Sequence, residues 1–177
     1  MVTLPSRSLR KIVVAISLVI LATRGFSEAS SPVAPTVVIV VRHAEKADDG
    51  TRDPPLSTEG QERARLLGRL LHDAGVAAVY TSDTRRARQT AQPLTSTLGL
   101  VAEEYPGRDV AALVRRVLEE RASQTILIVG HSNTVPEMIS ILTRGRYSVS
   151  LRDDEYDALF VVTTGDQDLP ALLRLRY

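Results

Sequence analysis

Residues Thr36 to Val41 read Thr-Val-Val-Ile-Val-Val, an unbroken run of strand-favouring side chains that stops at Arg42-His43-Ala44-Glu45-Lys46. A short run of β-branched residues without polar alternation predicts a strand buried on both faces, the kind found in the middle of a parallel sheet covered by helices. Such a strand requires a layer of helices above and below it. It also delivers Arg42 and His43 to its carboxyl end, which in open α/β sheets is the edge where ligands bind.

The rest of the chain supplies those layers. Ser57 is placed to cap a first helix with Glu59 in its opening turn. Ala64, Leu67, Leu71 and Ala74 form its inward stripe, with Arg63, Arg65 and Arg69 expected outward and His72 on the surface. Gly75 ends that helix, Val76 to Tyr80 makes a second strand, and Thr81-Ser82-Asp83 leads into a second helix. There Ala87, Ala91, Leu94 and Leu98 have core spacing, Arg86 is placed to reach back over the sheet edge, and Arg85 and Arg88 read as solvated. Leu100 to Glu104 is expected as a third strand and Pro106 to Arg121 as a helix with Leu113 and Val117 inward. Thr125 to Val129 is a second fully buried strand, and it too ends in a histidine, within Gly130-His131-Ser132-Asn133-Thr134. Thr134 and Glu137 have capping-box spacing for the helix that follows. Tyr156 to Thr164 and Leu169 to Tyr177, flanking Gly165-Asp166-Gln167-Asp168, predict a closing hairpin. The acids Asp153, Asp154, Glu155 and Asp157 before it read as a solvated loop.

One segment stands apart from this pattern. Arg7, Arg10 and Lys11 precede Ile12 to Ala22, an apolar stretch too short to span a bilayer, which takes about 20 residues. Small residues around Ala29 follow, so residues 1–29 read as a secretory signal, 30–35 as a linker and 36–177 as one domain. A periplasmic or secreted location is the expectation, with an N-terminal membrane anchor as the alternative. Once the signal is removed, no stable membrane insertion is expected.

The whole chain has 22 basic and 21 acidic residues. Without Arg7, Arg10, Lys11, Arg24 and Glu28 there remain 18 and 20, so the slight positive charge belongs to the signal and gives no support to nucleic-acid binding. With no cysteine in the chain, disulfides, thiolate metal sites and a cysteine nucleophile are excluded.

Arg42, His43, Arg86 and His131 therefore converge if their strands are neighbours. Two guanidiniums and two imidazoles around one site suit a phosphoryl group, because arginine forks match its oxygens and stay charged at any working pH. A neutral imidazole can attack phosphorus through one ring nitrogen while the other donates to a carbonyl.

Three motifs, Arg42-His43-Ala44, Ser82-x-x-x-Arg86-Ala87-x-x-Thr90-Ala91 and Gly130-His131-Ser132, occur in the order and at the separations seen in the histidine phosphatases, the phosphoglycerate mutase-like superfamily. The chain resembles that family from about Thr36 onward. The resemblance implies a three-layer α/β/α sandwich with a mostly parallel central sheet. It implies His43 as a nucleophile that becomes phosphohistidine, with Arg42, Arg86 and His131, and Ser132 beside them, binding the phosphoryl oxygens. No cofactor is implied, and no metal, since the side chains already supply positive charge.

The general acid is where the match breaks down. Larger members often take a glutamate from an insertion after the Arg-Ala helix. Only about 44 residues separate Arg86 from His131 here, and that insertion is expected to be absent. Glu104 and Glu45 are the tentative candidates, with Asp53 and Asp153 behind them. The chain is closer to the short phosphohistidine-phosphatase-like members than to the mutases, which shield their phosphoenzyme under extra loops. The expected activity is phosphoric monoester hydrolysis on a small phosphorylated molecule or a phosphoprotein. The alternatives are a non-catalytic phosphate-binding module and a mutase-like phosphotransferase.

Overall fold

The computed structural model describes residues 34–165 and 169–177. The expected signal and most of the linker lie outside the described residues, as do Asp166 to Asp168 of the hairpin turn. Ten elements follow one another: β1 (Thr36–Arg42), α1 (Thr58–Leu70), β2 (Val76–Ser82), α2 (Arg85–Leu98), β3 (Glu103–Tyr105), α3 (Val110–Glu120), β4 (Thr125–Gly130), α4 (Thr134–Leu142), β5 (Ala158–Thr164) and β6 (Ala171–Arg176). The strands form one sheet in the order β3-β2-β4-β1-β5-β6. The pairs β2–β3, β2–β4 and β1–β4 are parallel, and the β1–β5 and β5–β6 pairs are antiparallel.

Alternation along the central strands divides the core. Val38, Val40, Ile126, Ile128 and Phe160 pack beneath Leu113 and Val117 of α3 and Met138 and Leu142 of α4. Ile39, Val41, Leu127, Val129 and Leu159 face the other way, onto Leu67 of α1 and Ala87, Ala91 and Leu94 of α2. This is the three-layer α/β/α sandwich with a mostly parallel sheet. Among the described residues no helix is long and apolar enough to cross a membrane.

Several local expectations need correcting. Ala74 is exposed because α1 ends at Leu70 and Ala74 lies in the turn beyond it. Arg63 is half-buried, not outward, because it binds Glu45 and the carbonyl of Tyr177. The third strand is only Glu103–Tyr105: Gly99 ends α2 in a left-handed conformation, and Val101 is 87% exposed. The third helix begins at Val110, where the Asp109 side chain accepts from the Ala112 N–H, so Pro106 lies outside it. The capping box at α4 does not form. Asn133 occupies the cap position without a side-chain bond, and Thr134 Oγ1 turns back to accept from the His131 N–H at 2.9 Å.

Ser57 does cap α1, accepting from the Gly60 N–H at 3.1 Å. Gly60 itself is dictated by space. A Cβ there would lie 2.1 Å from the Glu45 carbonyl oxygen, closer than any side chain tolerates.

Candidate active site

The carboxyl ends of β2, β4 and β1 lie side by side, and each contributes one part of the site. At the end of β1, Arg42 and His43 are buried, 7% and 5% exposed. The His43 N–H donates to the Gly130 carbonyl at 2.9 Å, tying the end of β1 to the end of β4. The next N–H, of Ala44, donates to Thr90 Oγ1 at 3.0 Å, and that hydroxyl donates to the Arg86 carbonyl at 2.7 Å. Thr90 therefore couples the backbone beside His43 to the first turn of α2.

The ring of His43 is held by two contacts that define its chemistry. Nδ1 lies 2.8 Å from the Ala44 carbonyl oxygen, which can only accept, so Nδ1 carries the proton. Nε2 lies 3.1 Å from Nε of Arg86, which can only donate, so Nε2 presents a lone pair. Burial pushes the His43 pKa down to about 3, and the neighbouring His131, Arg86 and Arg42 push the same way, against the bond to the Ala44 carbonyl. The imidazole is thus neutral across the physiological range, with its lone pair on Nε2.

His131 stands with its ring centroid 5.1 Å from that of His43, edge toward face at 66°. Its Nε2 is 2.8 Å from Ser82 Oγ, the last side chain of β2, and Ser82 in turn is 3.1 Å from Thr84 Oγ1, the cap of α2. Burial, then the charges of Arg86 and Arg42, lower its pKa to about 4, opposed by Asp83 and Asp53. Gly130 precedes it with little room to spare: an added Cβ would meet Thr134 Oγ1 at 2.9 Å.

Arg86 reaches the site from the first turn of α2, its Nη1 3.3 Å from Asp53 Oδ1. The Asp53 carboxylate also accepts the Arg85 N–H at 3.0 and 3.1 Å, which places a negative charge on the N-terminus of α2. Arg42 points Nη1 into the carbonyls of Arg152, Asp153 and Glu155, at 3.0, 2.9 and 3.2 Å. Its guanidinium lies 4.0 Å from the centroid of the Tyr156 ring, within cation–π distance.

Arg42, His43, Arg86 and His131 thus come together, with Ser132 half-buried in the turn after His131. The two candidate acids do not join them. Glu45 is bound through both carboxylate oxygens by Arg63, at 2.6 to 2.9 Å. Glu104 pairs with Arg88 at 3.1 Å on the α2 side of β3, both partners 42% or more exposed. Asp153 gives Arg42 its main-chain carbonyl. Of the four acids, Asp53 alone contacts a site side chain through its carboxylate, and there it partners Arg86.

Sequence reasoning gave Ser82 and Thr90 only as motif letters, and it gave Tyr156 and the carbonyls of residues 152–155 no role. The run Asp153 to Asp157 is also not simply solvated, because Glu155 within it is 5% exposed. The available signal was Tyr156, an aromatic inside an acidic run immediately before a strand.

Fold and site together define an α/β protein that presents paired imidazoles and guanidiniums at the carboxyl edge of a mostly parallel sheet. A family model, the histidine phosphatase superfamily (branch 1), matches residues 38–108, which contain the first two motifs. Over residues 38–108 the chain is similar to the histidine phosphatase superfamily. It is 34% identical over 90 residues to a protein described as probable phosphoglycerate mutase GpmB, from Serratia proteamaculans. That match covers 48% of this chain and 41% of the relative's length.

Among solved structures, the protein histidine phosphatase SixA complexed with tungstate superposes with a TM-score of 0.67 at 23% identity, over 79% of this chain and 96% of that one. A putative α-ribazole-5'-P phosphatase from Escherichia coli gives a TM-score of 0.63 at 19% identity, over 80% and 96%. A putative phosphohistidine phosphatase SixA from Nakamurella multipartitia gives 0.60 at 23%, over 82% and 98%. At these identities the structures speak for the fold.

Proposed function

We propose that this chain is a metal-independent phosphatase that hydrolyses phosphomonoesters or phosphoprotein through a phosphohistidine on His43. The observation that carries this reading is the pair of bonds on the His43 ring, which leave Nε2 as a lone pair facing a guanidinium. That lone pair forms the N–P bond as the P–O bond to the leaving group breaks, and the leaving oxygen takes its proton from solvent. Water then attacks phosphorus, the P–N bond breaks, and phosphate departs. Arg42, Arg86 and His131 bind the phosphoryl oxygens and stabilise the charge that builds on them, the dominant form of catalysis in phosphoryl transfer.

Hydrolysis is favoured over mutase transfer, although one relative carries a mutase name, because only β3 and α3 stand between α2 and β4. Little chain is left there to cover a phosphoenzyme. Residues 1–29 are proposed as a secretory signal, 30–35 as a linker and 36–177 as the catalytic domain. Intact mass of the protein recovered from the cell envelope and medium checks the cleavage, and an uncleaved chain in the membrane fraction overturns it.

The deciding experiment on activity is hydrolysis of p-nitrophenyl phosphate in EDTA by wild type and His43→Ala. Turnover that survives chelation and is lost in the variant is expected. Phosphate binding without turnover identifies a binding module instead.

A further inference from the structure

The least expected feature of the molecule is the buried acid Glu155. It sits three residues before β5, and its carboxylate is gripped from the edge strand: Oε1 accepts from Arg174 and, at 3.1 Å, from Arg176, while Oε2 accepts the Arg152 N–H at 3.3 Å. Arg176 also binds Asp157 at 2.6 Å. A carboxylate that buried is tolerated only when its lone pairs are filled by opposite charges and N–H groups. This one closes the segment Arg152 to Glu155 into a loop whose carbonyls turn inward.

Those carbonyls are the ones that take Arg42 Nη1, the Glu155 carbonyl among them. Three acceptors around one nitrogen, with Tyr156 stacked on the guanidinium plane, fix both the direction and the tilt of that plane. Nε of Arg42 is buried without a partner, so nothing on the β1 side competes for the orientation. With Nη1 committed, Nη2 remains for a ligand.

We propose that Glu155 is a positioning residue: clamped by Arg174 and Arg176, it shapes the loop that aims the Arg42 guanidinium at the bound phosphoryl group. The inference rests on the reading of Arg42 as a phosphoryl ligand. A guanidinium held in place binds a tetrahedral anion without first losing rotamer freedom, whereas a loose one must be ordered during binding. The edge strand β6, which among the described residues pairs with β5 alone, therefore contributes to the site through a single carboxylate.

A double-mutant cycle separates this role from simple anchoring of the hairpin. Binding of inorganic phosphate is measured by calorimetry for wild type, Glu155→Gln, Arg42→Met and the double variant, each checked for a native melting transition. Glu155→Gln is expected to weaken phosphate about ten-fold in the wild-type background and less than two-fold in the Arg42→Met background. Unchanged phosphate affinity in a folded Glu155→Gln protein overturns the proposal, as does a ten-fold loss that persists without Arg42. If Glu155→Gln does not fold, Arg174→Gln takes its place in the same cycle, with the same two outcomes deciding. Because the probe is phosphate binding, a chain that never turns over fails the phosphatase reading and leaves this test intact.

Discussion

Arg86 donates its Nε–H to Nε2 of His43 across 3.1 Å, so the cation that would neutralise the phosphoryl group lies against the nitrogen that would attack it. Substrate binding has to exchange that contact for bonds to phosphoryl oxygens, and Arg86 is then already in place. Arg86→Lys keeps the charge but not the planar fork. It is expected to lower kcat/KM on p-nitrophenyl phosphate by about 100-fold, close to the loss on removing a single oxyanion donor. A loss under three-fold contradicts a directional role for the guanidinium.

The tautomer of His43 is directly observable. In long-range 1H–15N spectra its Nδ1 should appear protonated and Nε2 unprotonated, with no titration between pH 8 and pH 5, since its pKa is about 3. A midpoint near 6.5 refutes the burial argument.

Stability carries the same signature. An unfolded His43 takes up a proton below about pH 6.5 and the folded one only near 3, so the unfolded state binds more protons in between. The contribution of His43 is complete above pH 6.5 and is lost as pH falls toward 3, at a slope of at most about 1.4 kcal/mol per pH unit. Urea midpoints at pH 7 and pH 4.5 should therefore fall less in His43→Asn than in wild type.

Ser82→Ala removes the hydroxyl 2.8 Å from His131 Nε2. His131 then loses the contact that fixes its ring, and kcat/KM should fall about ten-fold, in line with losing an outer hydrogen bond that orients a functional imidazole. The melting temperature should move little, and Ser82→Thr should recover part of the rate.

Glu45 and Glu104 each pair with an arginine and make no ion pair with a side chain of the site. Rates across a series of aryl and alkyl phosphates should therefore drop steeply as the leaving-group pKa rises, because an unprotonated leaving oxygen must carry its own charge. Glu104→Gln should leave the slope of that series unchanged, and a change of slope would name Glu104 as the acid.

Arg42, His43 and His131 were legible because each sits at the end of a run whose burial is written in its composition, and Arg86 because it opens the helix after β2. Thr36 to Val41 and Thr125 to Val129 can hardly be anything but inner strands, and a rigid strand fixes where its last residue goes. The acid and the supports of the site were not legible, for two physical reasons. Charged side chains find partners by proximity that no periodicity encodes: Arg63 finds the Glu45 carboxylate 18 positions away, and Arg42 finds the Glu155 main-chain carbonyl 113 positions away. The boundaries of β3 and α3 shifted because turn geometry at Gly99 and a cap at Asp109 outweighed apolar content.

The placement of β1 carries a cost during synthesis. Both of its sheet neighbours, β4 and β5, are made long after it, so the Val-rich segment leaves the ribosome with two open edges and keeps one of them open until residue 164 is available. A stretch of this composition invites pairing with other chains while it waits. Assembly of the strand that carries His43 must run ahead of aggregation over most of the chain's length, and truncations that stop short of β5 should accumulate as insoluble material.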